Sequence, residues 1–349
     1  TKVEVRGLRG HTEWATALAF GPGGRLLVSG GADQKALAFE LTPQEGATPV
    51  GHMLKLNAVA VSADGKTAAT ASADKTVKLW ELATGRELET LAGPTDTPLA
   101  VAFLGADRLA VGGITSTRAS GQLHFWKGKP ARLVNTVTAG EVYALAATAD
   151  GAKLAAWTAR AVQGETVKAS SYELFDADGK AVASVPDRGR DVRAVAFAAD
   201  LSWAAAGDDK GVVRLWDLGA KEKAGGDWQL LDDAVADLGL TADKKLLVAA
   251  DGNGAVKVAD VAKRAVLASA EAHKAGVRGV VVSPTGDSFV TIGADREVKA
   301  WPLAANLTEL KPARVWALPT GVTAAAYAPD GKSVVTANAD GTAYVLTMP

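Results

Sequence analysis

The feature that most constrains this chain is a short phrase that recurs eight times, an alternating apolar run followed by a turn. Neighbouring copies lie 41 to 50 residues apart. A period of roughly 40–45 residues is typical of a β-propeller with four-stranded blades. The copies are ALAFGPGG (17–24), AVAVSADG (58–65), AVAFLGAD (100–107), ALAATADG (144–151), AVAFAADL (194–201), DLGLTADK (237–244), GVVVSPTG (279–286) and AAAYAPDG (324–331).

Each copy is followed by two further apolar runs, and the second of them alternates in the manner of a half-buried strand. Examples are TVKLWE (76–81) and VVRLWD (212–217). Glycine and Asp-Gly pairs fall between the runs, where hairpin turns need them. No sustained amphipathic helix is visible, so the pattern predicts an all-β chain.

Two dipeptides accompany the repeat. A Gly-His pair precedes the first strand at Gly10-His11 and Gly51-His52, and Trp216-Asp217 ends a third strand. With these marks the chain resembles the WD40-repeat family over essentially its full length. The resemblance implies a propeller of antiparallel four-stranded blades.

In that family a His, a Ser or Thr, an Asp and a Trp form a hydrogen-bonded tetrad within a blade. Two sets here step by 18, 4 and 6 residues, and a third set keeps these steps but ends in Phe39. Blades three to six depart further, so we expect them to rely on apolar packing. The two complete sets are His52, Thr70, Asp74 and Trp80, and His273, Thr291, Asp295 and Trp301.

The sequence therefore predicts one domain over residues 1–349, an eight-bladed β-propeller. The resemblance also implies how the ring closes. The chain begins one strand before the first Gly-His pair, with TKVEVRGL (1–8), and ends one strand after the eighth copy. The N-terminal strand is then expected to pair in the last blade, which removes exposed sheet edges. Seven blades remain possible if the fourth copy is spurious.

Composition excludes several kinds of site. The chain has no cysteine and only four histidines, and its 38 basic and 39 acidic residues give a net charge of -1. We therefore expect no catalytic residue, no metal site, no cofactor and no nucleic-acid partner. No run approaches the roughly 18 apolar residues of a membrane span. We expect a soluble monomer, cytoplasmic or exported, and the alanine and glycine content suggests a bacterial source.

The resemblance also implies where a partner binds. Loops from fourth to first strand and from second to third strand share one face, here called the top face. Residues three and five positions after the Gly-His histidine point outward there. The long segments GGITSTRASG (112–121) and WTARAVQGETVKASS (157–171) are expected to be loops on that face. The predicted partner-binding residues are Trp14, Lys55, Asn57, Arg118, Glu141, Tyr143, Arg160, Asp191, Arg193 and Arg278.

These features predict a non-enzymatic scaffold that binds a protein or peptide segment, especially over blades three to five. Its arginines would pair with carboxylates of a segment that carries both charge signs. One alternative is a small-ligand binder or enzyme that uses the central channel, although the first strands there are mostly Ala, Val and Leu. Another is the propeller domain of a larger multidomain protein.

Overall fold

A computed structural model gives the positions of most of the chain. Within the described residues there are 33 β-strands and no helix. The all-β prediction is confirmed. The described residues are 5–21, 26–40, 47–54, 56–81, 86–91, 97–114, 121–161, 168–187, 192–223, 225–304, 306–328, 330–339 and 343–349.

The chain divides into two compact units. The N-terminal unit comprises Gly7–Arg188 and Asp340–Ala343, and it contains blades one to four. Its strands are, blade by blade, β2 (Ala15–Phe20), β3 (Leu26–Gly31), β4 (Lys35–Glu40) and β5 (Ala47–Gly51); β6 (Leu56–Val61), β7 (Thr67–Ser72), β8 (Val77–Glu81) and β9 (Arg86–Leu91); β10 (Thr97–Leu104), β11 (Arg108–Ile114), β12 (Gly121–Lys127) and β13 (Arg132–Ala139); β14 (Glu141–Ala147), β15 (Lys153–Ala161), β16 (Lys168–Asp176) and β17 (Ala181–Asp187).

The C-terminal unit comprises Thr1–Arg6, Gly189–Ala339 and Tyr344–Pro349. Its strands form blades five to eight, and the fourth strand of blade five is interrupted. They are β18 (Val192–Phe197), β19 (Trp203–Asp208), β20 (Val212–Asp217), β21 (Glu222–Lys223) and β22 (Trp228–Gln229); β23 (Val235–Leu240), β24 (Leu246–Asp251), β25 (Ala255–Asp260) and β26 (Ala265–Glu271); β27 (Val277–Val282), β28 (Ser288–Gly293), β29 (Glu297–Pro302) and β30 (Arg314–Ala317); β31 (Val322–Tyr327), β32 (Ser333–Asn338) and β33 (Ala343–Thr347).

In most blades the strands pair antiparallel with their neighbours in chain order. In blade five both β21 and β22 pair with β20. The last blade differs, because the N-terminal strand β1 (Val5–Leu8) lies beside β33 and gives the order β1-β33-β32-β31. The fold class is therefore confirmed: an eight-bladed β-propeller whose N-terminal strand completes the last blade. That all 349 residues act as one domain stays a prediction.

The apolar core lies between consecutive blades of each unit. Between blades five and six, Val213 and Leu215 pack against Leu238 and Leu247. Equivalent clusters lie between the other neighbouring blades of the N-terminal and C-terminal units. Small alanines on the second strands, almost all buried, let one sheet approach the next closely.

One position of the third strand is buried in every blade. It is the position at which the repeat places tryptophan, and it faces the second strand of its own blade. The eight residues are Phe39, Trp80, Trp126, Phe175, Trp216, Ala259, Trp301 and Leu346. Large aromatic residues dominate this position because each buries a large apolar area.

The segment 157–171 was expected to be a loop, and this prediction is mostly wrong. Strands β15 and β16 continue through it, and Thr158 pairs with Ser171 while Ala161 pairs with Lys168. Only residues 162–167 between these strands lie outside the described part. The insertion therefore lengthens a hairpin of blade four. A lengthened ladder satisfies backbone groups that a loop would leave to water.

Candidate partner-binding surface

The complete tetrad of blade two is present as predicted. The Trp80 indole N–H donates to Thr70 Oγ1 at 2.8 Å, and Thr70 lies 2.7 Å from His52 Nε2. His52 Nδ1 lies 3.0 Å from Asp74. These three contacts are all hydrogen bonds if the Thr70 hydroxyl donates to Nε2 of His52 and Nδ1–H of the same ring donates to the Asp74 carboxylate. The tetrad therefore ties the top of blade two to its third strand.

The electrostatics of this tetrad keep the imidazole neutral. Burial lowers the pKa of His52, although Asp74 partly opposes that effect. Burial alone would raise the pKa of Asp74, but hydrogen bonds from Thr76 and from the Met53 amide hold it at about 2. A neutral ring that donates to a carboxylate in this way orients the loop, and its lowered pKa keeps it neutral near neutral pH.

Blade seven repeats this geometry. His273 lies 2.8 Å from Thr291 and 2.9 Å from Asp295, and Trp301 donates to Thr291 at 2.9 Å. Burial lowers the pKa of His273. Glu297 brings a second carboxylate near, so the group has the composition of a metal site. Both ring nitrogens of His273 already have partners in the tetrad, which leaves none for a cation.

Blade one keeps two of the three tetrad contacts. His11 lies 2.8 Å from both Ser29 and Asp33, although Phe39 provides no indole N–H. Blade five was expected to rely on apolar packing, and the structure shows a buried polar contact there in addition. Asp208 accepts a hydrogen bond from Arg214 at 2.8 Å, and both side chains are almost fully buried. A buried ion pair thus replaces the tetrad there.

Glu141 was predicted to point outward from blade four, and this prediction is wrong. Glu141 is only 1% exposed, and its carboxylate accepts a hydrogen bond from the Tyr143 hydroxyl. Tyr143 itself is 39% exposed, and its ring lies 5.2 Å from the ring of Trp157. Glu141 therefore orients an exposed aromatic side chain instead of meeting a partner directly.

The lengthened hairpin explains the burial of Glu141. In blade one the ladder begins with the pair Ala15 and Gly31, so that Trp14 precedes the strand. In blade four the ladder begins one residue earlier, with Glu141 paired to Ala159. Pairing draws the residue into the sheet, where neighbouring side chains cover it.

Asn57 is half-buried, and its amide donates to the carbonyl of Pro98 in blade three at 2.9 Å. Thr16 makes a similar bond to the carbonyl of Leu56 in blade two. These side chains link consecutive blades of the N-terminal unit. Asn57 therefore has a structural contact at the position predicted for partner binding.

Besides Tyr143, three of the predicted residues are exposed. Trp14 is 60% exposed at the top of blade one. In the C-terminal unit, Arg193 and Arg278 are exposed at the tops of blades five and seven. Lys55, Arg118 and Asp191 lie outside the described residues. Arg160 lies in β15, but its side chain is not described.

Sequence reasoning missed two exposed residues beside His52. Met53 is 81% exposed and Leu54 is 50% exposed, directly before β6. A signal for them existed, since two large apolar residues follow the Gly-His pair where blade one has Thr12 and Glu13. The described top edges thus present exposed apolar side chains on blades one and two and an exposed aromatic on blade four.

Repeated blades with a His–Thr–Trp network define a propeller of the tetrad-containing class, and sequence comparison identifies its family. The model of "WD domain, G-beta repeat" matches residues 2–37, 44–81, 178–217, 265–302 and 312–345, which is more than half of the chain. The chain therefore belongs to the WD40-repeat family.

Curated relatives match over shorter stretches. The small ribosomal subunit protein RACK1 of Neurospora crassa is 35% identical over 86 residues, 24% of this chain and 27% of that protein. RACK1 of Saccharomyces cerevisiae is 39% identical over 85 residues, 22% of this chain and 27% of that protein. The match thus spans about a quarter of these relatives' length. Both are eukaryotic, and the bacterial source stays a prediction.

Solved structures share the whole fold. The computationally designed Ika8 protein aligns with a TM-score of 0.74, 21% identity and 98% coverage of both chains. Sqt1 of Chaetomium thermophilum, bound to the N-terminus of the ribosomal protein L10, aligns with a TM-score of 0.77, 17% identity and 98% coverage of both chains. Across the described residues of our chain, no helix has the length and apolarity to cross a membrane.

Proposed function

We propose that this chain is a non-enzymatic scaffold that binds a protein or peptide segment at the top edges of its blades. A top edge is the edge at which the first strand begins and the second strand turns into the third. In the N-terminal unit we place the site at blades three and four, and in the C-terminal unit at blade five.

The observation that carries this proposal is the exposed ring of Tyr143. The ring lies against the ring of Trp157, tilted by 36° to it, and its hydroxyl is fixed by the buried carboxylate of Glu141. A fixed aromatic side chain loses little conformational freedom on binding, which is why tyrosine and tryptophan dominate binding hot spots. In the C-terminal unit, taken by itself, Arg193 of blade five offers an exposed cation to a carboxylate of a bound segment.

The relatives support the same class of function. One aligned propeller, Sqt1, was solved with the N-terminus of a ribosomal protein bound, and RACK1 is named as a component of the small ribosomal subunit. By analogy, the propeller of this chain would hold a segment of another protein.

The test uses peptides selected from a phage-displayed library of random linear sequences. We expect Tyr143→Ala to weaken binding of the selected peptides by about tenfold or more, as loss of an anchoring aromatic does. Val182→Ala is the matched control, because Val182 is exposed on β17 of the same blade but away from the top edge. Equal affinity of wild type and Tyr143→Ala would contradict the site on blade four.

A further inference from the structure

The described part of the chain exposes ten large apolar side chains by more than a third of their surface. Three of them lie together at the tops of blades one and two: Trp14, Met53 and Leu54, here called the apolar patch. Tyr143 lies on blade four. The other six are on fourth strands, namely Leu88, Leu133, Val134, Val182, Val266 and Val315.

The members of the apolar patch lie at the same end of two adjacent strands. Trp14 directly precedes β2, and Leu54 lies two residues before β6. Strands β2 and β6 are neighbours in the N-terminal unit. The Thr16 hydroxyl donates to the carbonyl of Leu56 at 2.9 Å, which holds the two strands together near the patch. The three side chains therefore belong to one continuous top edge.

Hydrogen bonds fix the backbone beneath the patch. The Met53 amide donates to Asp74 at 2.9 Å, and the Ser72 hydroxyl donates to the carbonyl of Leu54 at 2.9 Å. The carbonyl of Trp14 accepts from the Ala32 amide at 2.6 Å. The same tetrad carboxylate that orients His52 thus also positions the loop that carries Met53.

A contact with Gln34 of blade one further fixes this backbone. The side-chain amide nitrogen of Gln34, in the orientation that satisfies it, donates to the carbonyls of His52 and Met53 at 3.1 and 3.0 Å. The His52 amide in turn donates to the carbonyl of Gln34 at 2.6 Å. Exposed apolar side chains on a loop held this firmly need little ordering when they bind, so more of their burial energy appears as affinity.

We infer that the apolar patch docks a short segment of a partner protein that carries at least two large apolar side chains. This inference rests on the proposed scaffold function and assigns it a second contact area and a partner chemistry. Contiguous apolar patches of about 300–600 Å² on a monomer are often functional. Three partly exposed side chains offer an area of that order.

The size of the patch decides between a segment and a second copy of the chain. A stable homodimer buries about 800 Å² on each partner, roughly twice what these three side chains expose. A short linear segment needs no more than the patch supplies. The occupant is therefore a segment, and self-association is an outcome that the test must exclude.

The chemistry of the patch favours apolar recognition. Tryptophan is the side chain most enriched in binding hot spots, and methionine adapts its shape to varied apolar partners. Exposed charges at its rim include both signs, with Glu13 acidic and Lys75 basic. Among the described residues these two charges balance, so selection depends on the apolar side chains.

The experiment compares two triple variants against the same phage-displayed library of random linear peptides. The patch variant carries Trp14→Ser, Met53→Ser and Leu54→Ser. The control variant carries Leu88→Ser, Leu133→Ser and Val134→Ser, which remove three exposed apolar side chains from fourth strands of the same unit. All six positions are exposed, so both variants are expected to fold, and circular dichroism checks this.

We expect wild type to enrich peptides that share two or more large apolar residues. Synthetic versions of these peptides should bind the patch variant about tenfold more weakly or worse, and the control variant within about twofold of wild type. Unchanged affinity of the patch variant, with binding lost in Tyr143→Ala, would overturn the patch and leave the proposed function standing. Absence of any enriched peptide would overturn both.

Sedimentation at rising protein concentration tests whether a second copy of the chain occupies the apolar patch. We expect wild type and the patch variant to sediment alike. A wild-type dimer that the patch substitutions convert to a monomer would overturn the segment as occupant, because the patch would then be an interface between copies of the chain.

Discussion

Asp208 and Arg214 form an ion pair inside blade five, with 2.8 Å between the carboxylate and the guanidinium. Asp208 also accepts hydrogen bonds from the amides of Lys210 and Val212, which form the turn between β19 and β20. One carboxylate thus closes the turn and neutralises a buried cation. Blades two and seven achieve the same closure with the tetrad aspartates.

This pair predicts an asymmetry between single and double substitutions. Arg214→Met leaves a buried carboxylate without its cation, and we expect it to lower the free energy of unfolding by about 3–5 kcal/mol. Asp208→Asn combined with Arg214→Met buries no charge, so it should cost less than Arg214→Met alone. Urea unfolding of both variants measures the difference. A double variant less stable than the single one would contradict this account of the pair.

The tetrads predict unequal costs for removing one hydroxyl. Thr70→Val leaves the buried Trp80 N–H without its acceptor, and Thr291→Val does the same to Trp301, so each should cost about 2 kcal/mol. Ser29→Ala removes a hydroxyl from blade one, where Phe39 has no N–H to leave unsatisfied. We expect it to cost about 1 kcal/mol. Equal costs in thermal or urea unfolding would show that the indole bond contributes nothing.

Two glycines of one turn are expected to differ in how much stability is lost when each is replaced by alanine. Gly254 has a φ of +116°, and a Cβ there would lie 1.8 Å from the carbonyl oxygen of His273. Gly254→Ala should therefore cost more than about 1 kcal/mol, since both the backbone conformation and the space oppose it. Gly252 has no heavy atom within 4 Å of a built Cβ, so Gly252→Ala is the control and should be nearly neutral. Comparable losses for both would argue against this packing.

Asp237 predicts a pH dependence of stability. Burial raises its pKa to about 6, against hydrogen bonds from the amides of Val280 and Leu238. Between about pH 4 and 6, the folded state therefore keeps a proton on Asp237 that the unfolded state has lost. Its contribution to stability is complete below the unfolded pKa of 3.8 and is lost as pH rises through 6.

The variant Asp237→Asn isolates this effect. The stability of wild type minus that of the variant should fall between pH 4 and 6, with a slope approaching about 1.4 kcal/mol per pH unit, and stay constant above. Urea unfolding across this range provides the measurement. A difference that does not change with pH would show that Asp237 titrates normally.

The repeat made the fold and the tetrads predictable, because each tetrad lies within one period of about 43 residues and its members face one another across two paired strands. The N-terminal strand in the last blade was implied by the family resemblance. These predictions depend on local register alone, so the family pattern was sufficient for His52, Thr70 and their equivalents.

The failures have a different origin. Glu141 is buried because a lengthened hairpin adds one residue pair to its ladder. Blade four has no Gly-His histidine, and a position counted along the repeat does not show how far the strands stay paired. Asp208 and Arg214 carried a signal, since two opposite charges six residues apart flank a hairpin turn, and Arg214 pairs with Ala206, two residues before Asp208. Met53 and Leu54 carried one too, as apolar residues in a loop position that is polar in blade one.

Hydrogen–deuterium exchange with a bound peptide tests the central claim, partner binding at the top edges, most directly. The peptide should be one selected by wild type from the random library. We predict slowed exchange at the top edge of the N-terminal unit, where the first strands begin, at residues 11–16, 52–58 and 141–144. Slowed exchange confined to the fourth strands β9, β13 and β17, with these top-edge residues unchanged, would contradict the claim.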